Sequence, residues 1–162
     1  RGMTAQECPD CGAVLDPGLV LYLFQNLNLT AKEVETILYK KSGLIGISGI
    51  SNDMRDLLGR NETEAKLAVD YFVYRAAKEI GGLAAVLGGI DALVFTAGIG
   101  ENSSLVRGRI CERLGFLGVE LDEDANERAV PDCVISNRTV TVHVVRAREE
   151  LIAARAAVAL LT

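Results

Sequence analysis

The chain has 162 residues, 49% of them apolar and 24% charged, with a formal net charge of −5. That length suits one domain with one core, the composition is too apolar for disorder, and the charge has the wrong sign for nucleic acid or an anionic membrane surface. No run of about 18 apolar residues offers a membrane span, and the N-terminal RGMTAQE lacks the apolar core of a signal peptide, so a single domain over 1–162 and a cytoplasmic location are expected.

Cys8 and Cys11 form C-P-D-C, while Cys111 and Cys133 stand apart. A zinc site wants a second close pair or histidines at ligand spacing, and His143 is the only histidine. Ordinary free thiols are therefore favoured over a metal or redox pair.

In chain order, Asp16-Pro17 opens a helix as N-cap and first helical residue. Leu19 to Phe24 make that helix apolar nearly all round, which predicts burial. Thr30 and Glu33 form a capping box, with Leu29 and Val34 placed as a hydrophobic staple. The helix they start carries Val34, Ile37 and Leu38 inward and stops at Gly43. The segment Gly43 to Arg60 reads as irregular, with glycines at 43, 46 and 49 suited to close approach of backbone. Ser51 or Asn52 caps a short helix holding Met54, Leu57 and Leu58. Spacing alone makes Asp53 a capping aspartate and Arg55 a solvated arginine.

The longest helix is expected from Asn61, capped with Glu64, to about Leu87, on a stripe of Ala65, Ala68, Val69, Phe72, Ala76, Ile80 and Leu83. Arg75 falls off that stripe. Gly81-Gly82 weakens the helix by about 2 kcal/mol against alanine and allows close packing on the strand that follows. Gly88-Gly89 ends it.

Next comes ALVFTAGIGENSS, Ala92 to Ser104. Leu93 to Thr96 read as a short buried strand, Ala97 to Gly100 as a tight turn, and Asn102 or Ser103 as the cap of a helix running to about Leu114. A strand, a glycine turn and a helix start can bring backbone N–H groups close to a nucleotide. A corner with no ligand fits the same pattern. The following helix turns Val106, Ile110 and Leu114 inward, and Arg107, Arg109 and Arg113 outward as a solvated face, and Gly115 stops it. Short strands at Gly118–Leu121, Cys133–Ser136 and Val140–Val145 follow, the last two joined by a turn at Asn137-Arg138, with Asp122 to Pro131 as a charged loop or helix fragment. His143 points away from the face of Val142 and Val144, as a structural histidine. A helix from about Arg148 to Leu161 closes the chain, with Leu151, Ala154, Val158 and Leu161 on one face.

FTAGIGENS, together with SGISNDMRD at Ser48–Asp56 and REEL at Arg148–Leu151, closely resembles the acetate kinase (acetate/propionate/butyrate kinase) family. The likeness runs from Asp16 almost to the C-terminus, and the chain looks like the C-terminal part of such a protein, since family members are considerably longer. The resemblance implies an α/β fold, helix-rich with a few strands: a partial actin/Hsp70/sugar-kinase-like (ribonuclease H-like) nucleotide-binding domain. It implies ATP/ADP and Mg²⁺ as cofactors and transfer of a phosphoryl group to a short-chain carboxylate.

By position, Asp53, Met54 and Arg55 match the segment that lies against adenosine. Gly98, Ile99, Gly100, Glu101 and Asn102 match the turn that packs on adenine and ribose, and Glu149 matches the magnesium-associated carboxylate. No catalytic residue is assigned within this chain. Residues 1–15 depart from the family: ECPDCGAVLDPG replaces a loop ending Thr-Arg-Ser-Gly, with Asp10 about where a phosphoryl-stabilising arginine belongs. Arg148, next to Glu149, could compete for that carboxylate.

The expected function is thus the adenosine side of a carboxylate kinase, inactive alone, with the carboxylate bound only if the missing half is supplied. A homodimer is a further implication. The alternative is a non-catalytic nucleotide-binding or dimerisation module left from such a kinase. An unrelated dinucleotide binder fits poorly, because Ser103 occupies the third glycine position of G-x-G-x-x-G.

Overall fold

The computed structural model describes residues 15–136 and 138–161. Cys8, Asp10, Cys11 and the rest of the atypical N-terminal segment up to residue 14 lie outside them, as does Asn137 of the expected hairpin turn. The fold is α/β and helix-rich, with one small sheet among the described residues. Two compact units divide it, Arg1–Ile80 and Gly81–Thr162.

In the first unit, α1 (Pro17–Gln25) starts as expected: Asp16 Oδ1 accepts the Gly18 N–H at 2.7 Å, ahead of a proline-opened first turn. Its predicted burial is not observed. Leu23 is buried, while Leu19, Leu21, Tyr22 and Phe24 are exposed, because α1 packs on α2 (Ala31–Lys40), which covers one side of it. The capping box of α2 is complete: Thr30 Oγ1 accepts from Glu33 N–H, and Glu33 Oε2 accepts from Thr30 N–H at 2.8 Å.

The segment read as irregular contains a helix that was not expected, α3 (Leu44–Ser48), ahead of the short helix that was, α4 (Met54–Leu58). Gly43 and Gly49 bracket α3 at φ 71° and 65°, a region that glycine enters without steric cost. A Cβ on Gly46 would sit 2.8 Å from the Lys41 carbonyl oxygen, so the expected close approach of backbone is real there. The cap of α4 is Asp53, not Ser51 or Asn52. Ser51 is occupied elsewhere: its Oγ accepts from Asp53 N–H and donates to the Asp56 carboxylate.

Helix α5 (Thr63–Leu87) begins later than Asn61. The Glu62 carbonyl accepts the opening bond from Lys66 N–H, and Glu62 Oε2 accepts the Asn61 N–H. The buried row is Ala65, Ala68, Val69, Val73, Ala77 and Ala84. Phe72, Ala76 and Ile80 are half-buried and Leu83 is exposed. An i, i+4 row drifts round a helix by about 40° per step, so a stripe extrapolated over about five turns leaves the core. Arg75, which falls off the stripe expected to face the core, is buried and bonds Glu79 Oε1 at 2.8 Å.

In the second unit, β1 (Ala92–Phe95), β2 (Cys133–Val134) and β3 (Thr141–Val144) form a sheet in the order β1-β3-β2. β1 runs parallel to β3, with Phe95 opposite Val144, and β2 runs antiparallel to it. β1 is an edge strand with Phe95 alone buried, not the buried strand that its composition suggested. The strand expected at 118–121 reduces to one bridge, Val119 to Val140, since the chain turns at Asp122 to cap α8 (Glu123–Glu127). Val142 and Val144 are buried and His143 is half-buried on the opposite face, its Nε2 3.2 Å from Thr141 Oγ1.

The C-terminal stretch of α5 does not pack through its glycines on β1. Gly81 faces Phe116, 3.8 Å from where its Cβ would be, and Gly82 faces open space. A closing bond from Gly89 N–H to Ala84 O marks the end of the helix at Gly88-Gly89. Helix α9 (Glu149–Leu161) forms close to the bounds expected; Leu151, Ala154 and Val158 are exposed, and the side chain of Leu161 is outside the described residues. Among the described residues, no helix is long and apolar enough to cross a membrane.

Candidate functional site

The glycine stretch after β1 is a short helix, α6 (Ala97–Asn102), not a tight turn. Neither Gly98 nor Gly100 has positive φ; Ala97 does, at 58°. A non-glycine residue there costs about 1–2 kcal/mol. The strain thus sits at the strand-to-helix junction and not on the glycines. The two glycines serve different ends. A Cβ on Gly100 would meet Phe95, 3.2 Å from its carbonyl carbon and 3.4 Å from its Cβ, so Gly100 lets α6 close on the strand. A Cβ on Gly98 would meet nothing within 4 Å, so this position keeps a bare peptide surface against open space.

The C-terminal end of α6 is tied down from within. Asn102 Nδ2 donates to Gly98 O at 2.8 Å, and Ile99 O accepts from Ser103 N–H. Ser103, not Asn102, caps the next helix, α7 (Ser104–Arg113). Val106, Ile110 and Leu114 are buried as expected. Arg107, expected on the solvated face, is 2% exposed. Its Nη1 donates to the carbonyls of Gly100 and Glu101 at 2.9 and 3.0 Å, its Nε to Asn126 Oδ1 at 2.8 Å, and its Nη2 to Asn126 O at 2.7 Å.

A cation at a helix C-terminus is favoured by the dipole and satisfies carbonyls that have no intrahelical partner. Burial lowers the affinity of this guanidinium for its proton, and the four oxygens around it repay part of the lost hydration. Sequence reasoning missed Arg107 because it read charge before position: 107, 111 and 114 share one helical face, and both Cys111 and Leu114 are buried.

The lead into α9 is pinned residue by residue. Val145 N–H donates to Phe95 O at 2.8 Å. Arg146 N–H donates to Asp132 Oδ1 at 3.2 Å, and Ala147 N–H to Glu101 Oε1 at 2.7 Å. Arg148 Nη2 bonds Asp132 Oδ2 at 2.7 Å. The expected rivalry of Arg148 for Glu149 is therefore absent, and Asp132 takes that cation. The Asp132 carboxyl is held below its usual range, first by the Arg146 N–H.

Glu149, the first residue of α9, is exposed. A single exposed carboxylate fits Mg²⁺ in the mode where phosphate oxygens and waters supply most ligands. Among the described residues no group of three or more His, Cys, Asp or Glu could hold a metal by itself. Glu101 thus joins α6 to the approach to Glu149, two of the expected elements.

Asp53, Met54 and Arg55 belong to the first unit. Asp53 Oδ1 accepts from Arg55 N–H at 2.8 Å and from Arg55 Nε at 3.0 Å, and Oδ2 from Arg55 Nη2 at 2.5 Å. Side-chain hydrogen bonds from Arg55, then its backbone N–H, push the Asp53 carboxyl down to about 2. The Arg55 side chain is 87% exposed, and Met54 is buried. A groove of about 850 Å³ along α7 is lined by Leu105, Arg109, Glu112, Glu120, Glu123 and Glu127 among others, and one of about 490 Å³ by residues 41 to 71 of the first unit. Neither contains an expected site residue.

A short strand leads into a glycine-bearing helix whose Gly98 faces open space, with Glu149 carried on a pinned connector, and the chain belongs to the Acetokinase family, whose model matches residues 9–155. It is 58% identical over 118 residues to the acetate kinase of Rhodopseudomonas palustris (strain TIE-1), covering 73% of this chain and 29% of that protein. Against the Rhizobium meliloti acetate kinase it is 50% identical over 153 residues, covering 94% and 39%. The crystal structure of Porphyromonas gingivalis acetate kinase superposes with a TM-score of 0.80 at 35% identity, over 99% of this chain and 40% of that one. The chain therefore spans two fifths or less of the length of these relatives.

Proposed function

We propose that these residues form the nucleotide side of a kinase that transfers a phosphoryl group between ATP and a short-chain carboxylate. The observation that carries this reading is the open peptide face at Gly98, on a helix whose Glu101 is bonded to the lead into Glu149. In this reading Gly98 and Ile99 pack on adenine and ribose, with Gly100 allowing α6 its approach to β1. Glu101 and Asn102 hold the shape of α6; the first unit, taken by itself, carries Asp53, Met54 and Arg55, the stretch that matches the family's adenosine segment. Glu149 would hold Mg²⁺, which would supply neutralisation of charge on the transferring group.

Carboxylate binding and the cations that steady the transferring phosphoryl belong to sequence that the relatives have beyond the matched stretch, so these 162 residues bind nucleotide without turning over acetate. Self-association and a cytoplasmic location complete the proposal. Calorimetric titration with ATP and Mg²⁺ tests it. Saturable binding that Gly98→Asp weakens at least tenfold supports the reading, since the new side chain fills the open face on which adenine and ribose would pack. Equal binding by both chains removes α6 as the site. Turnover of acetate above background in a preparation free of host kinase would overturn the division of labour.

A further inference from the structure

Glu101 lies in the stretch matched to the adenosine turn, and both its main chain and its side chain are bonded within the protein. Its carbonyl oxygen accepts from Arg107 Nη1 at 3.0 Å, and its carboxylate Oε1 accepts from the Ala147 N–H at 2.7 Å. Arg107 is itself held by Asn126, whose Nδ2 donates to Ser104 O at 2.9 Å, so α6, α7 and α8 share one hydrogen-bonded knot. The only covalent steps between the far end of that knot and Glu149 are two peptide units, Ala147 to Arg148 and Arg148 to Glu149.

We infer that Arg107 and Glu101 are positioning residues that set the distance between the nucleotide-facing helix α6 and the metal-associated Glu149, with Arg107 fixing the backbone of Glu101 and Glu101 fixing the backbone ahead of Glu149. This rests on the nucleotide reading above. Geometry of this kind matters because a displacement of about 1 Å in a positioned group can cost about a hundredfold in function. A bond to a backbone N–H asks only for an acceptor, so glutamine, which keeps an Oε1, can replace glutamate at 101 and alanine cannot.

The test compares wild type, Glu101→Ala and Glu101→Gln as whole 162-residue chains. Affinity for ADP is measured by calorimetry with and without Mg²⁺, alongside amide exchange at Ala147. In Glu101→Ala the factor by which Mg²⁺ tightens ADP binding falls at least fivefold and the Ala147 amide exchanges at least tenfold faster, while Glu101→Gln restores both to within twofold of wild type. Loss of ADP affinity by one and the same factor with and without Mg²⁺ overturns the inference, because Glu101 would then serve the nucleotide or the fold at large. So does a Glu101→Gln chain that behaves like Glu101→Ala, or an Ala147 amide that exchanges alike in all three. If wild type binds no ADP in either condition, the nucleotide reading itself fails and this role falls with it, an outcome separated from the others by the wild-type titration alone.

Discussion

Asp53 and Arg55 show how little of a residue's role its type reveals. The sequence spacing suggested a capping aspartate beside a solvated arginine, and the cap is real, but the arginine folds back onto its own cap. The carboxyl is pushed down to about 2 from an ordinary 3.8. A depressed folded-state value contributes stability that is present above the unfolded value and is lost as pH falls from about 4 toward 2. Carboxyl titration followed by NMR should place the Asp53 midpoint near 2, and Arg55→Ala should return it toward the usual aspartate range.

Cys111 gives a second residue-scale expectation. Burial pushes its thiol up to about 12, with Arg107 opposing in part. Thiolate is the reactive form, so Cys111 should resist alkylation at pH 8 in the folded chain while the half-buried Cys133 reacts. Mass mapping of the labelled chain reads this directly. At α6, Gly100→Ala should destabilise by about 1 kcal/mol in urea unfolding, since overpacking against Phe95 outweighs the gain in helix propensity, a direction set by contact with strand backbone that cannot easily yield.

At the scale of elements, caps were legible and faces were not. Asp16-Pro17 and the Thr30/Glu33 box start helices where expected, because a cap is a local bond between residues two or three apart. The burial of α1 was misread from composition. An apolar helix buries itself only where other elements cover it, and Leu21, Tyr22, Leu151 and Val158 remain exposed here. The same limit hid Arg107, whose partners Gly100 and Glu101 on α6 and Asn126 on α8 come from two other helices. Glycine was legible as a need for space but not as to which neighbour needs it: Gly46 and Gly100 admit backbone, while Gly98 and Gly82 face none. Gly82→Ala should therefore stabilise α5 by about 1 kcal/mol without a clash, measured as a higher urea midpoint at unchanged slope.

Taken whole, the molecule was legible as a family before it was legible as a fold. FTAGIGENS, SGISNDMRD and REEL carried the resemblance that the family match then established, and the α/β class followed. The bonds that hold these motifs in place were not recoverable from the motifs. Glu101 to Ala147 spans 46 positions and Arg107 to Asn126 spans 19, and separations of that kind leave no periodic trace in a sequence.

The anchoring of Arg107 by neutral oxygens has a consequence for how the protein meets its surroundings. An exposed ion pair such as Asp53–Arg55 weakens as dissolved ions crowd in, and at about 1 M salt the screening length is only about 3 Å. A guanidinium enclosed by peptide and amide carbonyls has no such vulnerability, nor a partner that acid can discharge. The corner formed by α6 should hold its shape in brine and in mild acid alike, long after the chain's surface charges have stopped recognising one another.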